Sequence, residues 1–234
     1  MKQRVFGTVA AFLAAVLLLT VPCSANSARS AVVLDCFSGR LLLDKKGSEK
    51  SLIASTTKIM TALLVCERCN VLDQMVIPKQ AVGIEGSSMY LKEGERLTLQ
   101  ELLYGLMLSS GNDAAVALAL YCCGSIQEFA NLMNDKARSL GMTGSHFENP
   151  NGLDSPNHYS TARDLAILAS YAMENPIFQK TVSTKTVTVG NRVLRNHNKL
   201  LWLYPEADGV KTGYTKAAGR ILVSSATQNR RRLV

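Results

Sequence analysis

The chain is poor in histidine, with three in all, and it has a single tryptophan. His146, His158 and His197 are joined by no Gly-x-Ser-x-Gly motif, so a Ser-His-Asp hydrolase has little to build on. Cys66-Glu67-Arg68-Cys69 has no second Cys-x-x-Cys and no nearby histidine to complete a zinc site. No basic stripe is interleaved with aromatics, so nothing supports a nucleic-acid partner. Internal repeats and low-complexity segments are absent, and no apolar run after the N-terminal leader is long enough to cross a bilayer.

What is there begins with "MKQRVFGTVAAFLAAVLLLTVPCSA". Lys2 and Arg4 precede an apolar run from Val9 to Val21, and Cys23-Ser24-Ala25 ends on small residues. That order reads as a secretory signal peptide over residues 1–25, cleaved after Ala25, with an uncleaved anchor as the competing reading. Pro22 argues against lipid attachment at Cys23. Export to the extracytoplasmic side is expected, and residues 26–234 suffice for one domain with a substantial core. The net charge of +8 is carried partly by the leader and partly by Arg230-Arg231-Arg232. The remainder suits an anionic cell envelope. Cys36, Cys66, Cys69, Cys122 and Cys123 stay behind when the leader goes, an odd number that leaves a free thiol or an intermolecular bond. Helical spacing reads Cys66, Cys69, Cys122 and Cys123 as packed thiols, and no disulfide is assigned.

"AVVLDCFSGRLLLDKKG" predicts a hairpin around Phe37-Ser38-Gly39. A helix is expected from about Ser55 to Arg68, its stripe carried by Ile59, Ala62, Leu63 and Cys66. Thr98 with Glu101 is a capping box before a leucine-rich helix, and a second apolar helix follows from Asp113 to Cys123. Ser125 and Glu128 start another, which Gly141 ends. A long Asn/Pro/Gly loop then leads into "TARDLAILASYAM". The alternation in "TVSTKTVTVGNRVLRN" predicts a hairpin turned at Gly190-Asn191, and "GVKTGYT" and "GRILVSSAT" predict neighbouring strands. Strands, then helices, then strands favour an α+β fold whose antiparallel sheet joins both ends of the chain, with a helical subdomain inserted.

Three short motifs carry the chemistry. Ser55 and Lys58 are three apart, so on a helix both side chains face one cleft. A neutral lysine can take the proton that makes serine a nucleophile. Holding it neutral at pH 7 needs about 4.6 kcal/mol from desolvation or a neighbouring charge. Roughly one Ser-x-x-Lys arises by chance in a chain this long, so the motif alone reads as a helix start and a surface lysine. Ser110-Gly111-Asn112 falls at a break between apolar helices, where a hydroxyl can relay a proton and an amide can hold a carbonyl or the amine. It also reads as a simple helix stop and restart. In Lys211-Thr212-Gly213, Lys211 and Gly213 share one strand face, and Gly213 leaves room for a ligand lying along the strand.

Together and in this order, the three motifs resemble the serine penicillin-recognising enzymes. "SSMYLKEGERLTLQELLYGLMLSSGNDAAVALA", "FENPNGLDSPNHYSTARDLAILA" and "NHNKLLWLYPEADGVKTGYTKAAGRILVSSAT" are similar to the D-alanyl-D-alanine carboxypeptidases among the low-molecular-mass penicillin-binding proteins. The resemblance implies a β-lactamase/transpeptidase-like fold with the active site between sheet and helical subdomain. It implies that Ser55 attacks the D-Ala-D-Ala bond of a peptidoglycan stem peptide and that Lys58 is the base. Ser110, Asn112 and Lys211 would complete the proton and charge network. Thr212 would bind the terminal carboxylate, beside Gly213, and the backbone N–H groups of Ser55 and Tyr214 would form the oxyanion hole. β-Lactams would act as slowly hydrolysed mimics, and neither metal nor organic cofactor is implied.

Two departures from the family pattern stand out. Where many relatives carry Asn-Arg-Asn, this chain has Asn196-His197-Asn198, so His197 would bind the carboxylate more weakly and with pH dependence, or sit idle at the surface. The chain also stops where relatives continue through another strand, a closing helix and often a second domain. Residues 26–234 are therefore expected to be a catalytic domain cut short at its C-terminus, with any membrane association lying in the missing region. A class A-like β-lactamase is the nearest rival, though only Glu148 and Asp154 lie where its deacylating glutamate would be needed. A catalytically inactive wall-binding scaffold of the same fold is the other.

Overall fold

A computed structural model describes residues 27–234, and the leader expected over residues 1–25 lies outside them. The first hairpin pairs β1 (Ala31–Leu34) with β2 (Leu41–Lys45), Val33 opposite Leu43. The Asp35 carboxylate takes the Phe37 N–H at 2.9 Å and Gly39 turns at φ +69°, so the turn is set by its own side chains.

The far end of the chain supplies β7 (Ala207–Thr215), β8 (Gly219–Gln228) and β9 (Arg231–Leu233), paired antiparallel in that order. Leu34 and Val234 exchange backbone hydrogen bonds of 2.8 and 3.0 Å, and Cys36 N–H donates to the Arg232 carbonyl at 3.0 Å. Beginning and end of the chain therefore meet at β9, in the spatial order β2, β1, β9, β8, β7. That is the α+β arrangement the order of segments predicts.

Between them lies the helical block. α1 (Lys58–Arg68) runs through its centre, buried on nearly every side. α2 (Leu99–Leu108) starts on the Thr98–Glu101 capping box and buries Leu99, Leu102, Leu103 and Leu106. α3 (Asn112–Cys123) ends at Gly124, whose φ of +76° suits a residue without Cβ. α4 (Ile126–Ser139) is capped by Ser125, and α5 (Ala162–Ala172) by Thr161. These helices close over Leu63, Leu118, Phe129 and Phe178, all buried. Each such side chain contributes roughly 1.5–3 kcal/mol. Among the described residues no single helix is long and apolar enough to cross a membrane.

The structure corrects the reading of one segment. Residues 181–183, expected as the start of an alternating strand, belong to α6 (Pro176–Ser183). Asn175 caps that helix with bonds to the N–H groups of Ile177 and Phe178, and Pro176 fills the first turn, a start signal stronger than the alternation that follows. The predicted hairpin is otherwise present as β5 (Thr186–Val189) and β6 (Arg192–Arg195). Five short elements escape the sequence reading: β3 (Gln74–Val76), a 3₁₀ turn (Lys79–Ala81), β4 (Arg96–Thr98), α7 (Leu200–Leu203) and β9.

Candidate active site

Ser55 lies not on regular α-helix but on a tight 3₁₀ turn, Ala54–Thr57, that feeds α1. The Thr56 N–H and hydroxyl both donate to the Ile53 carbonyl, at 3.1 and 2.6 Å, and Ala54 is held at φ +45°. A non-glycine residue in that region is strained and persists only where its surroundings insist on it. The turn keeps the expected three-residue geometry, with Lys58 Nζ 3.0 Å from Ser55 Oγ.

Lys58 is fully buried. Its Nζ is 2.6 Å from Asn112 Oδ1 and 2.6 Å from the Asn151 carbonyl. The Asn112 amide cannot turn over, because its Nδ2 donates to the Glu85 carbonyl at 2.5 Å. Burial first, and the Lys211 charge second, hold the Lys58 amine well below the usual lysine range, with Asp113 opposing. A neutral amine has two hydrogens and one lone pair. The two carbonyl oxygens take both hydrogens, so the lone pair faces the Ser55 hydroxyl.

Ser110 occupies the break between α2 and α3 at φ +61°, and Asn112 is the first residue of α3 rather than part of the turn. Lys211, buried on β7, donates to Ser110 Oγ at 3.1 Å and to the Thr212 carbonyl at 3.0 Å. Burial lowers its pKa to about 7. Lys211 and Gly213 lie on the strand face turned toward the Ser55 turn. A Cβ on Gly213 would sit 3.1 Å from the Ile53 carbonyl, so the strand packs directly on that turn. Thr212 is half-buried and Tyr214 exposed, next along the same strand.

His197 stands apart from Asn196 and Asn198, which are buried. Asn196 donates to the Val182 and Thr184 carbonyls, and Asn198 to the Gly209 carbonyl at 2.8 Å, which ties the segment to β7. His197 is exposed, its N–H bound to the Leu108 carbonyl at 3.2 Å. Its pKa is lowered by partial burial and then by Lys211. The ring lines a cavity of about 880 Å³ with Ser109, Arg195 and Trp202. Ser55, Lys58, Ser110, Asn112 and Lys211 thus converge, with Thr212, Gly213 and Tyr214 alongside and His197 at the margin.

Sequence reading missed three supporting residues. Asn151 contributes only its carbonyl, which no side-chain pattern signals. Asp113 is buried and accepts from Ser88 Oγ at 2.6 Å and from the Met89 and Leu91 N–H groups at 3.1 Å, which fixes the Gly-Ser-Ser loop over the site. His158 accepts the Glu148 N–H on Nδ1 at 3.0 Å, so Nε2 carries the hydrogen donated to Thr57 Oγ1 at 2.7 Å. Its isolation in a polar loop was the available signal. The Glu148 carboxylate is itself engaged by the Ser155 hydroxyl.

A sheet laid against a helical block, with a serine, a second serine, an asparagine and two buried lysines in the seam, places the chain in the penicillin-recognising serine class. A family model described as D-alanyl-D-alanine carboxypeptidase matches residues 19–234. The D-alanyl-D-alanine carboxypeptidase DacF of Bacillus subtilis is 38% identical over 220 residues, covering 90% of this chain and 57% of that protein. DacC of Escherichia coli is 36% identical over 228 residues, covering 92% and 57%. The chain thus spans less than two thirds of the length of these relatives. Among solved structures, a point mutant of the Streptomyces K15 DD-transpeptidase superposes with a TM-score of 0.84 at 34% identity, covering 88% of each chain. The carboxypeptidase DacD of Francisella tularensis gives 0.84 at 30% identity, covering 89% of this chain and 64% of that one. The chain belongs to the D-alanyl-D-alanine carboxypeptidase family, peptidase S11.

Proposed function

We propose that the protein is a serine-type D-Ala-D-Ala carboxypeptidase that removes the terminal D-alanine from peptidoglycan stem peptides through an acyl-enzyme on Ser55. The observation that carries this reading is the buried Lys58 amine, its two hydrogens taken by carbonyls and its lone pair left for the Ser55 hydroxyl.

Ser55 Oγ attacks the penultimate D-alanine carbonyl while its proton passes to Lys58 Nζ. Such general-base help is worth typically 10²–10⁴ in rate. The backbone N–H groups of Ser55 and Tyr214 hold the developing oxyanion, where one donor contributes about 3 kcal/mol. The C–N bond breaks as Lys58, through Ser110, protonates the leaving amine. Thr212 and the Lys211 charge receive the carboxylate of the departing D-alanine, with His197 at the outer edge, and Gly213 leaves the strand open to the peptide. Water then hydrolyses the ester, with Lys58 again the base. A β-lactam enters the same path and stalls at the ester. The relatives' names favour this over a β-lactamase or a scaffold without activity. A peptidoglycan substrate would require the site to work outside the cytoplasm.

The test follows intact mass with benzylpenicillin, and D-alanine release from a peptide ending in D-Ala-D-Ala, for wild type and Ser55→Ala. A lasting adduct and D-alanine release in wild type alone are expected. A rapidly lost adduct would move the assignment to β-lactamase, and no adduct on folded protein would sink the catalytic reading.

A further inference from the structure

The cysteines form a group that the catalytic site does not use. Cys69 is the residue that ends α1, and Cys122 lies in the last turn of α3. Their sulfurs are 3.4 Å apart, across 53 positions of sequence. Both are half-buried, so a small oxidant can reach them, whereas Cys66 is buried and its thiol is pushed up to about 12. Cys36 lies away from this group, beside Ser170. Cys123 follows Cys122 on the same helix and touches it, so a test must tell the two apart.

We propose that Cys69 and Cys122 are an oxidation site that closes to a disulfide joining the C-terminal ends of α1 and α3. The two helices begin at the active site, with Lys58 bonded to Asn112 at 2.6 Å. The disulfide would fasten the same pair of helices at the opposite end. The two thiols share a hydrogen-bond contact of 3.4 Å, and that contact lowers the Cys69 pKa and raises that of Cys122. Cys69 is accordingly the thiolate that attacks.

The oxidant is a low-molecular-mass disulfide. Cys69 thiolate attacks one of its sulfurs, forming a mixed disulfide and releasing one thiolate. Cys122 passes its proton to that thiolate, attacks the Cys69 sulfur and expels the second. The pair loses two hydrogens and two electrons, and the oxidant becomes two thiols. The reaction depends on neither the proposed activity nor its substrate.

The full chain is treated with oxidised glutathione at neutral pH, quenched with acid and digested with trypsin without reduction. Arg68 and Lys79 bound the Cys69 peptide, while Cys122 and Cys123 share the peptide from Leu97 to Lys136. A cross-link between these peptides, 2 Da lighter than their sum, is expected in wild type and in Cys123→Ser, and is lost in Cys122→Ser. The oxidised chain should melt about 5 °C or more above the reduced one, with no such difference in Cys69→Ser. A cross-link that persists in Cys122→Ser, or that joins other cysteines, overturns the proposal. So does an unlinked pair after exhaustive oxidation of folded protein.

Discussion

At Lys58 the surroundings choose the protonation state. An ammonium would spend its third hydrogen on the Ser55 hydroxyl, whereas the neutral form keeps only the two carbonyl bonds and leaves a lone pair for that hydroxyl. Burial first, and the Lys211 charge second, favour the neutral form. His158 works by a similar economy. Its Nδ1 is committed to accepting the Glu148 N–H, so protonation there would break the bond that ties Glu148 to the ring seated on Thr57. Burial lowers its pKa to about 4, against about 6.5 unfolded. Between these values the unfolded chain binds a proton that the native chain does not. Stability therefore falls as pH drops from about 6.5 to about 4, by about 3 kcal/mol in total. Urea unfolding of wild type and His158→Gln at pH 7 and pH 4.5 should show a smaller acid loss in the variant, and equal losses would refute the assignment.

The elements meet at distances that leave no room for substitution. Gly152, at φ +86°, lies so close to the turn bearing Ser55 that a Cβ there would fall on the Ala54 carbonyl, with Thr57 Oγ1 2.9 Å away. The same loop gives Lys58 its Asn151 acceptor and reaches β7 through Asp154 and Thr215, 3.1 Å apart. Gly152→Ala should thus cost about 3 kcal/mol or more and slow acylation by benzylpenicillin at least tenfold, because the loop and the Ser55 turn must separate. Thermal melting and acylation kinetics check the two halves, and a variant that melts and acylates like wild type would show that the loop is not seated there. α6 teaches a complementary point. Its cap, Asn175-Pro176, is local and strong, yet the β-branched residues behind it read as strand until Phe178 and Val182 are seen buried against the core.

For the molecule as a whole, β9 is the junction. It receives β8 on one side and β1 on the other, so the two ends of the chain depend on three residues rich in arginine. Arg232 is what makes so polar a strand serve. Its guanidinium donates to Asp208 Oδ2 at 3.1 Å and to the Met173 carbonyl at 3.0 Å, and Asp208 also holds Ser225 and Thr227. Arg232→Ala would leave the partly buried Asp208 without its counter-ion. A loss of about 2–3 kcal/mol in urea unfolding is expected, against less than about 0.5 kcal/mol for exposed Arg230→Ala. Equal effects would show that the charge, not the contact, matters.

The α+β order, the helices with strong caps and the terminal hairpins were legible because each rests on signals a few residues apart: Thr98 with Glu101, Ser125 with Glu128, Gly190-Asn191. Ser55, Lys58, Ser110, Asn112 and Lys211 stood out as candidates because their types and order resemble one family, and the fold brings them together. β3, β4 and β9 were not legible, since three residues carry no period and gain their place only from a partner strand. The sequence by itself determined which groups the candidate site holds. The tertiary structure decided how they act, for only the closed fold takes Lys58 out of water, hands two of its positions to carbonyls from distant segments and turns its remaining lone pair toward Ser55.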